Sequence, residues 1–171
     1  MSAGVFEPLK ILEVLANHEV SFVVIGGVAS TIHGAPFLTI DLDAVPEIQT
    51  TNLDQLASAL SELSATLRDS DEPAGIRLHL DGRTLKKALP DFRFLRFNTT
   101  YGFLALLYKP AGTEGFRDLV RSATKEEMGS IQVLVASLED VIRSKQAVGR
   151  PRDLEQLPTL RRLLAVRQTR R

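Results

Sequence analysis

The sequence predicts an α+β fold in which a β-sheet is flanked by helices and the chain ends in helices from about residue 137. Short apolar runs rich in β-branched residues, such as 22–25 and 131–136, are typical of buried strands. The block 76–108 alternates apolar and polar residues, which predicts antiparallel strands that extend the sheet. Leucines recur at helical spacing in three stretches: 9–16, 53–67 and 138–164.

Composition limits the classes of protein that need to be considered. A length of 171 residues predicts one domain, 1–171, that is large enough to bury a core. Basic and acidic residues balance at 21 each, so no overall charge draws the chain to nucleic acid or membrane. The sequence has no cysteine, and no apolar run approaches the ~20 residues needed to span a bilayer. We expect a cytoplasmic protein with no membrane partner and no secretory signal.

The first two thirds of the chain carry clear local signals. Pro8 begins a helix that ends near His18. The leucine stripe predicts a second helix from Thr51 to Leu67, followed by a polar loop. We expect a half-exposed strand over Ile76–Leu80 and a turn at Asp81-Gly82. The segment 84–89 is expected to be a short helix or loop, and strands are expected over 92–97 and 101–108.

The last third predicts alternating helix and strand. Apolar spacing indicates a helix over 116–123 and a strand over 131–136. Ser137 is expected to cap the next helix, which Gly149-Arg150-Pro151 ends. Lys145 falls on the apolar stripe of that helix, an unusual place for a lysine unless its ammonium group reaches a partner. Asp153 opens the last helix.

A Gly-Gly pair follows the apolar run 22–25. Glycines let the backbone turn sharply and bring N–H groups close to a ligand. With a short helix over 28–33, Gly26 and Gly27 suggest a phosphate seat, because the free N–H groups at a helix start favour an anion. Taken alone, the same pattern is more often a tight turn.

Two aspartates, Asp41 and Asp43, lie one residue apart in a predicted strand. Side chains two apart on a strand share a face, so the two carboxylates lie side by side. They repel each other unless a cation offsets their charge, and Mg²⁺ suits paired carboxylates together with substrate phosphates. The alternative is a solvated pair on an edge strand, which the apolar neighbours make the weaker interpretation.

These residues resemble the first motif of the nucleotidyltransferase superfamily. The motif consists of Gly26-Gly27, the helix that ends in His33-Gly34, and the strand Thr39-x-Asp41-x-Asp43. The C-terminal run SLEDVIRSKQAVGRPRDLEQLPTL is similar to the last segment of the minimal bacterial members that include the AbiEii/MenT-type toxins. The resemblance implies a polymerase-beta-like mixed β-sheet with C-terminal helices.

The resemblance also implies an activity: transfer of a nucleoside monophosphate from an NTP to a hydroxyl, with Mg²⁺ or Mn²⁺. The acceptor would belong to RNA, such as tRNA, or to a protein, and the chain would be a toxin with a cognate antitoxin. By this resemblance Asp41 and Asp43 are the metal ligands. The implied phosphate ligands are Gly26, Gly27, Ser30 and Arg150, and the further catalytic residues are Lys145 and Asp153. A pair of Lys145 and Asp153 that only joins two helices is an equally good interpretation.

Two positions depart from the family pattern. A third carboxylate usually sits on a later strand, and that position here holds Ala105. Phe37 stands where relatives often carry an arginine after the proline. We therefore expect weak or absent activity in the chain as written, whether Ala105 is natural or engineered.

Two other functions fit parts of the sequence. A catalytically dead module that binds nucleotide or a partner protein is compatible with Ala105. An RNA-binding protein could use the arginine-rich C-terminus, although such a tail is more often a solvated helix end.

Overall fold

The computed structural model describes residues 5–170, which form seven helices and seven strands. The helices are α1 (Pro8–Asn17), α2 (Gly26–Ile32), α3 (Thr50–Glu62), α4 (Gly82–Phe92), α5 (Phe116–Leu119), α6 (Leu138–Val148) and α7 (Pro151–Thr169). The strands are β1 (Phe22–Ile25), β2 (Asp41–Pro46), β3 (Thr66–Leu67), β4 (Phe94–Thr99), β5 (Gly102–Leu107), β6 (Thr124–Met128) and β7 (Ile131–Val135).

All seven strands belong to one mixed sheet in the order β3-β4-β5-β2-β1-β7-β6. The pairs β1–β7 and β2–β5 are parallel, and the other neighbours are antiparallel. The strand β2 therefore lies at the centre of the sheet. This excludes the interpretation in which its two aspartates belong to a solvated edge strand.

Helices cover the sheet unevenly. Helix α3 contacts both α1 and α4, and helix α6 contacts both α2 and α7. On β4, Leu95 and Phe97 are buried, whereas Phe94 and Arg96 on the other face are exposed. One face of β4 is thus left exposed to solvent.

The predicted helix 51–67 ends five residues early, and that prediction is wrong at its C-terminus. Ser64 adopts a left-handed φ of 51°, and the N–H of Ala65 donates to the carbonyl of Leu60, which closes the helix. Leu67 instead pairs with Phe97 in the sheet. This end was not predicted from the sequence, because the residue that ends the helix is a serine and not a glycine.

The predicted strand over 76–80 and the turn at Asp81-Gly82 are also wrong. Only Ile76 makes a β-bridge, to Leu67, and the residues after it form no strand. Asp81 is the N-cap of α4, and its carboxylate accepts a hydrogen bond from the Thr84 N–H at 2.7 Å. Aspartate followed by glycine serves a helix start as well as a hairpin.

Other differences are smaller. Strand β6 was not predicted, the helix over 116–123 is limited to α5, and α7 continues past Leu164 to Thr169. The predicted cap at Ser137 is confirmed, since its hydroxyl accepts a hydrogen bond from the Asp140 N–H at 3.1 Å. No helix within residues 5–170 is long and apolar enough to cross a membrane.

Candidate active site

A cleft of about 480 Å³ opens where the centre of the sheet meets the junction of α6 and α7. Its polar and charged lining residues are Thr39, Asp41, Asp43, Arg96, Ser144, Lys145, Arg150, Arg152, Asp153 and Gln156. Gly26, Gly27 and Ala105 also line it, so the cleft brings together every predicted site residue except Ser30.

Asp41 and Asp43 project from one face of β2 into the cleft, while Leu42 and Ala44 between and after them are buried on the other face. The prediction from strand alternation, that the two carboxylates share a face, is confirmed. Thr39 Oγ1 donates a hydrogen bond to Asp41 Oδ1 at 3.2 Å. No described residue donates a hydrogen bond to the Asp43 carboxylate.

Burial raises the pKa of Asp43 from 3.8 to about 7, and the neighbouring charge of Asp41 adds to the rise. The positive charges of Lys145, Arg96 and Arg150 act in the opposite direction and offset part of it. The site therefore holds a carboxylate whose charge is costly unless a cation approaches.

Gly26 and Gly27 begin α2 directly, two residues earlier than expected, and they lie against the acid-bearing segment. Gly26 has a φ of +73°, and a Cβ there would overlap the Asp43 carboxylate. A Cβ on Gly27 would lie 2.6 Å from Thr39 Oγ1. Both positions need glycine because the backbone of α2 approaches β2 so closely. Their N–H groups belong to the first turn, where no intrahelical acceptor exists.

Ser30 does not reach the cleft. Its side chain is fully buried, and its hydroxyl donates to the Gly26 carbonyl at 2.9 Å. In this structure the hydroxyl faces back along its own helix, which does not support the predicted contact of Ser30 with phosphate.

Lys145, Arg150 and Asp153 form an ion-pair group at the junction of α6 and α7. Lys145 Nζ lies 3.5 Å from Asp153 Oδ1, and Arg150 Nε donates to Asp153 Oδ2 at 2.7 Å. The side chains of Lys145 and Asp153 are only 11% and 6% exposed. Gly149, with a φ of 66°, ends α6 and allows the sharp turn that places these residues together.

The charges of this group shift the pKa of its members. Burial alone would raise the pKa of Asp153, but the hydrogen bond and charge of Arg150, with the charge of Lys145, outweigh it and hold that pKa below its usual value. The hydrogen bond to Asp153 raises the pKa of Arg150. The group therefore joins two helices and also lines the cleft, so the two interpretations of Lys145 and Asp153 are compatible.

Ala105 lies directly beside Asp43, since the two residues are register partners in the parallel pair β2–β5. It is 4% exposed and lines the cleft. A carboxylate at this position would stand next to the Asp43 carboxylate on the same face of the sheet. Residue 105 therefore lies beside the acids, and its role as the third-acid position stays a prediction.

The donor set of the cleft fits a divalent cation held by two carboxylates. Within residues 5–170, no group of three or more His, Asp or Glu side chains is placed to hold a metal ion. For such an ion, Asp41 and Asp43 would be the protein ligands, and oxygens of a substrate would complete the coordination.

Sequence reasoning missed two basic residues of the cleft, Arg96 and Arg152. Arg96 stands on the exposed face of β4. The alternation of β4 was visible in the sequence, but the position of β5 beside β2, which brings Arg96 towards the acids, was not. Arg152 Nη2 donates to the Leu38 carbonyl at 2.6 Å and so ties the start of α7 to the loop before β2.

The arginine-rich end of α7 is partly bound to the rest of the protein. Arg167 Nη1 donates to His33 Nδ1 at 2.8 Å, and Arg167 Nη2 donates to the His33 carbonyl at 3.2 Å. The other ring nitrogen of His33, Nε2, donates to the Ala136 carbonyl at 2.7 Å. This arrangement holds a buried histidine between the ends of α2 and β7 and the last helix, α7.

The mixed sheet carries the acids on its central strand, and the chain ends in two helices. This arrangement is the nucleotidyltransferase fold. Two solved structures share it with this chain. LnuA, a lincosamide antibiotic adenylyltransferase with lincomycin bound, matches with a TM-score of 0.59 and 12% identity over 93% of this chain and 98% of that one. TM1012 from Thermotoga maritima, provisionally assigned as a nucleotidyltransferase, matches with a TM-score of 0.53 and 19% identity over 91% and 89%.

At these identities the two structures establish the fold of this chain and nothing finer. No protein-family model and no curated protein matches the sequence. The more specific resemblance to AbiEii/MenT-type toxins stays a prediction.

Proposed function

We propose that this chain is a nucleotidyltransferase that transfers a nucleoside monophosphate from an NTP to an acceptor hydroxyl, with Mg²⁺ or Mn²⁺. The observation that carries the proposal is the position of Asp41 and Asp43. They lie on the central strand of a nucleotidyltransferase fold and face a cleft that also holds a glycine pair and several cations. Paired acids opposite cations suit a metal-bound triphosphate.

Each part of the cleft has a role in this reaction. Asp41 and Asp43 would hold the metal ion, which neutralises charge on the phosphates when bound. The N–H groups of Gly26 and Gly27 would donate to the β- and γ-phosphates, and Lys145 and Arg150 would offset their charge. Asp153 keeps both cations in place, since each of its oxygens faces one of them.

The chemical step is an in-line displacement at the α-phosphorus. The acceptor oxygen forms a bond to phosphorus, the bond to the bridging oxygen of the β-phosphate breaks, and pyrophosphate leaves with that electron pair. The proton of the hydroxyl passes to water in the open cleft. Because Ala105 stands where a third acid would assist this step, we expect slow transfer. Each ~1.4 kcal/mol by which the activation free energy is higher lowers the rate tenfold.

The finer identity of the reaction belongs to the same proposal. The family resemblance favours an acceptor hydroxyl on RNA, such as tRNA, or on a protein, and a toxin controlled by an antitoxin in the cytoplasm. LnuA acts on an antibiotic, as its name states, so a small-molecule acceptor is an outcome that the test must be able to detect.

Transfer of label from α-labelled NTPs into total cell extract, with Mg²⁺, tests the proposal. We expect little label with the chain as it stands and clearly more with Ala105→Asp, because the new carboxylate would lie beside Asp43. The labelled species would identify the acceptor. Absence of transfer by the Ala105→Asp variant to any acceptor would contradict the assigned mechanism.

A catalytically inactive nucleotide-binding module is the second candidate, and the alanine at position 105 favours it. The two candidates share the cleft and differ only in turnover. Tight Mg²⁺-dependent NTP binding without transfer, in both the native chain and the Ala105→Asp variant, would favour the module.

A further inference from the structure

The basic residues of the cleft differ in what they contact. Lys145 and Arg150 are both paired with Asp153, and Arg152 donates to a backbone carbonyl. The guanidinium of Arg96 makes no hydrogen bond or ion pair with any residue in 5–170. Among these basic side chains, Arg96 is therefore the one with all of its donors left for a ligand.

Arg96 stands in line with the acids. In the sheet, Arg96 is the register partner of Ala105, and Ala105 is the register partner of Asp43, so the three residues form a row on one face. Neighbouring strands lie about 4.8 Å apart, which puts the Cα atoms of Arg96 and Asp43 about 10 Å from each other. An extended arginine covers much of that distance, and the residue between them, Ala105, contributes only a methyl group.

The ring of Phe94 supports the guanidinium. Arg96 Cζ lies 4.9 Å from the centroid of that ring, and both residues line the cleft. Stacking on an aromatic face restricts an exposed arginine without using its hydrogen-bond donors. The side chain is thus held at the cleft while its donors stay available.

Asp43 has different neighbours on its two sides. On the β1 side lie Ile25 and the glycine pair that begins α2. On the β5 side lie Ala105 and then Arg96. A triphosphate whose β- and γ-phosphates lie at the glycines, with the metal ion at the acids, would place its α-phosphate towards Arg96.

We propose that Arg96 binds the α-phosphate of the nucleotide and supplies, beside a single metal ion, the positive charge that a second ion would otherwise supply. The inference rests on the proposed function, since it assigns a residue to that same site. Two carboxylates suffice for one ion, and the position beside Asp43 that could help to hold another carries a methyl group. A guanidinium is always charged and its planar donors match phosphate oxygens, so it can stabilise the charge that builds there during transfer.

The test compares Arg96→Ala and Arg96→Lys with a matched control, Arg68→Ala. Arg68 is also exposed and also lies over an aromatic ring, that of Phe103 at 4.2 Å, but it does not line the cleft. Dissociation constants are measured with Mn²⁺ for the ribonucleoside triphosphates of all four bases and for their monophosphates. The number of Mn²⁺ ions bound per chain with nucleotide present is counted in the same samples.

We expect Arg96→Ala to weaken triphosphate and monophosphate binding by the same factor, about tenfold or more, because both ligands carry the α-phosphate. Arg96→Lys should retain part of the affinity. Arg68→Ala should change the dissociation constant by no more than about twofold, well below the roughly tenfold change expected for Arg96→Ala. One Mn²⁺ per chain is expected.

Each other outcome has a definite meaning. If Arg96→Ala behaves like Arg68→Ala while the native chain binds nucleotide, the role of Arg96 is overturned and the proposed function stands. Loss of triphosphate affinity alone would put Arg96 on the outer phosphates and overturn the inference, as would two Mn²⁺ per native chain. A native chain that binds no nucleotide would overturn the proposed function and the inference together.

Discussion

Asp43 shows how one side chain connects the fold to the proposed chemistry. Its carboxylate is largely enclosed by β1, β5 and the start of α2, which explains why Gly26 admits no side chain. The alternation of β2 was enough to predict that Asp41 and Asp43 share a face. It was not enough to predict Gly26 or Arg96 as their neighbours, because neighbours across a sheet depend on strand order and not on local pattern.

Asp43→Asn tests the cost of the buried charge. The pKa of Asp43 is about 7 in the folded protein and near 3.8 in the unfolded chain. The free energy of unfolding therefore falls as the pH rises between these two values, because the folded protein must keep or lose a proton that the unfolded chain has already released. We expect the asparagine variant to be more stable than native at about pH 8, by up to ~4 kcal/mol, and similar at about pH 4.

Urea unfolding of both proteins at the two pH values, without metal, measures this difference. Mg²⁺ should reduce the difference in stability between the two proteins at high pH. It should stabilise only the native chain, since a ligand of the folded state adds to the stability of that state. Equal stability of the two proteins at high pH would contradict the buried charge.

At the scale of elements, the junction of α6 and α7 positions the second half of the site. Its signals are local: a serine cap at Ser137, a glycine-arginine-proline break, and an aspartate in the first turn of α7. For this reason sequence reasoning placed both helices. The roles of Lys145 and Asp153 came from the family resemblance, with a pair that only joins the two helices as the alternative. The same reasoning failed at the end of α3 and over 76–80, where contacts with the rest of the sheet decide the structure.

Asp153→Asn should destabilise the junction, because it leaves the Lys145 ammonium and the Arg150 guanidinium without their carboxylate. We expect a loss of about 2 kcal/mol at neutral pH, less than for a fully buried pair since Arg150 is mostly exposed. The pKa of Asp153 lies below its usual value, so this stability is present at neutral pH and is lost as pH falls through that lowered pKa.

Glu155→Gln on the same helix is the matched control, because Glu155 is exposed and pairs with no described residue. Denaturant unfolding at neutral and acid pH compares the two variants. A similar, small effect of both substitutions would show that the junction does not depend on the ion pair.

For the whole molecule, the sheet order matters most. Residues far apart in sequence, from Gly26 to Asp153, meet in one cleft because β2 is central and its neighbours are β1 and β5. Local patterns predicted most strands and helices but not their order, and the mixed sheet was expected only through the family resemblance. In the last turn of α7, Arg167 contacts His33 and so joins this helix to the segment that leads into β2.

The most direct test of the nucleotide site is binding of labelled NTPs, with Mg²⁺ and with EDTA, to the native chain and to an Asp41→Asn, Asp43→Asn variant. An Asp69→Asn, Asp71→Asn variant is the control, since these acids have the same spacing but lie in an exposed loop outside the cleft. We predict Mg²⁺-dependent binding that the control retains and the variant of β2 loses. Binding that ignores Mg²⁺, or that survives loss of both acids of β2, would contradict the assignment of this cleft as the nucleotide site.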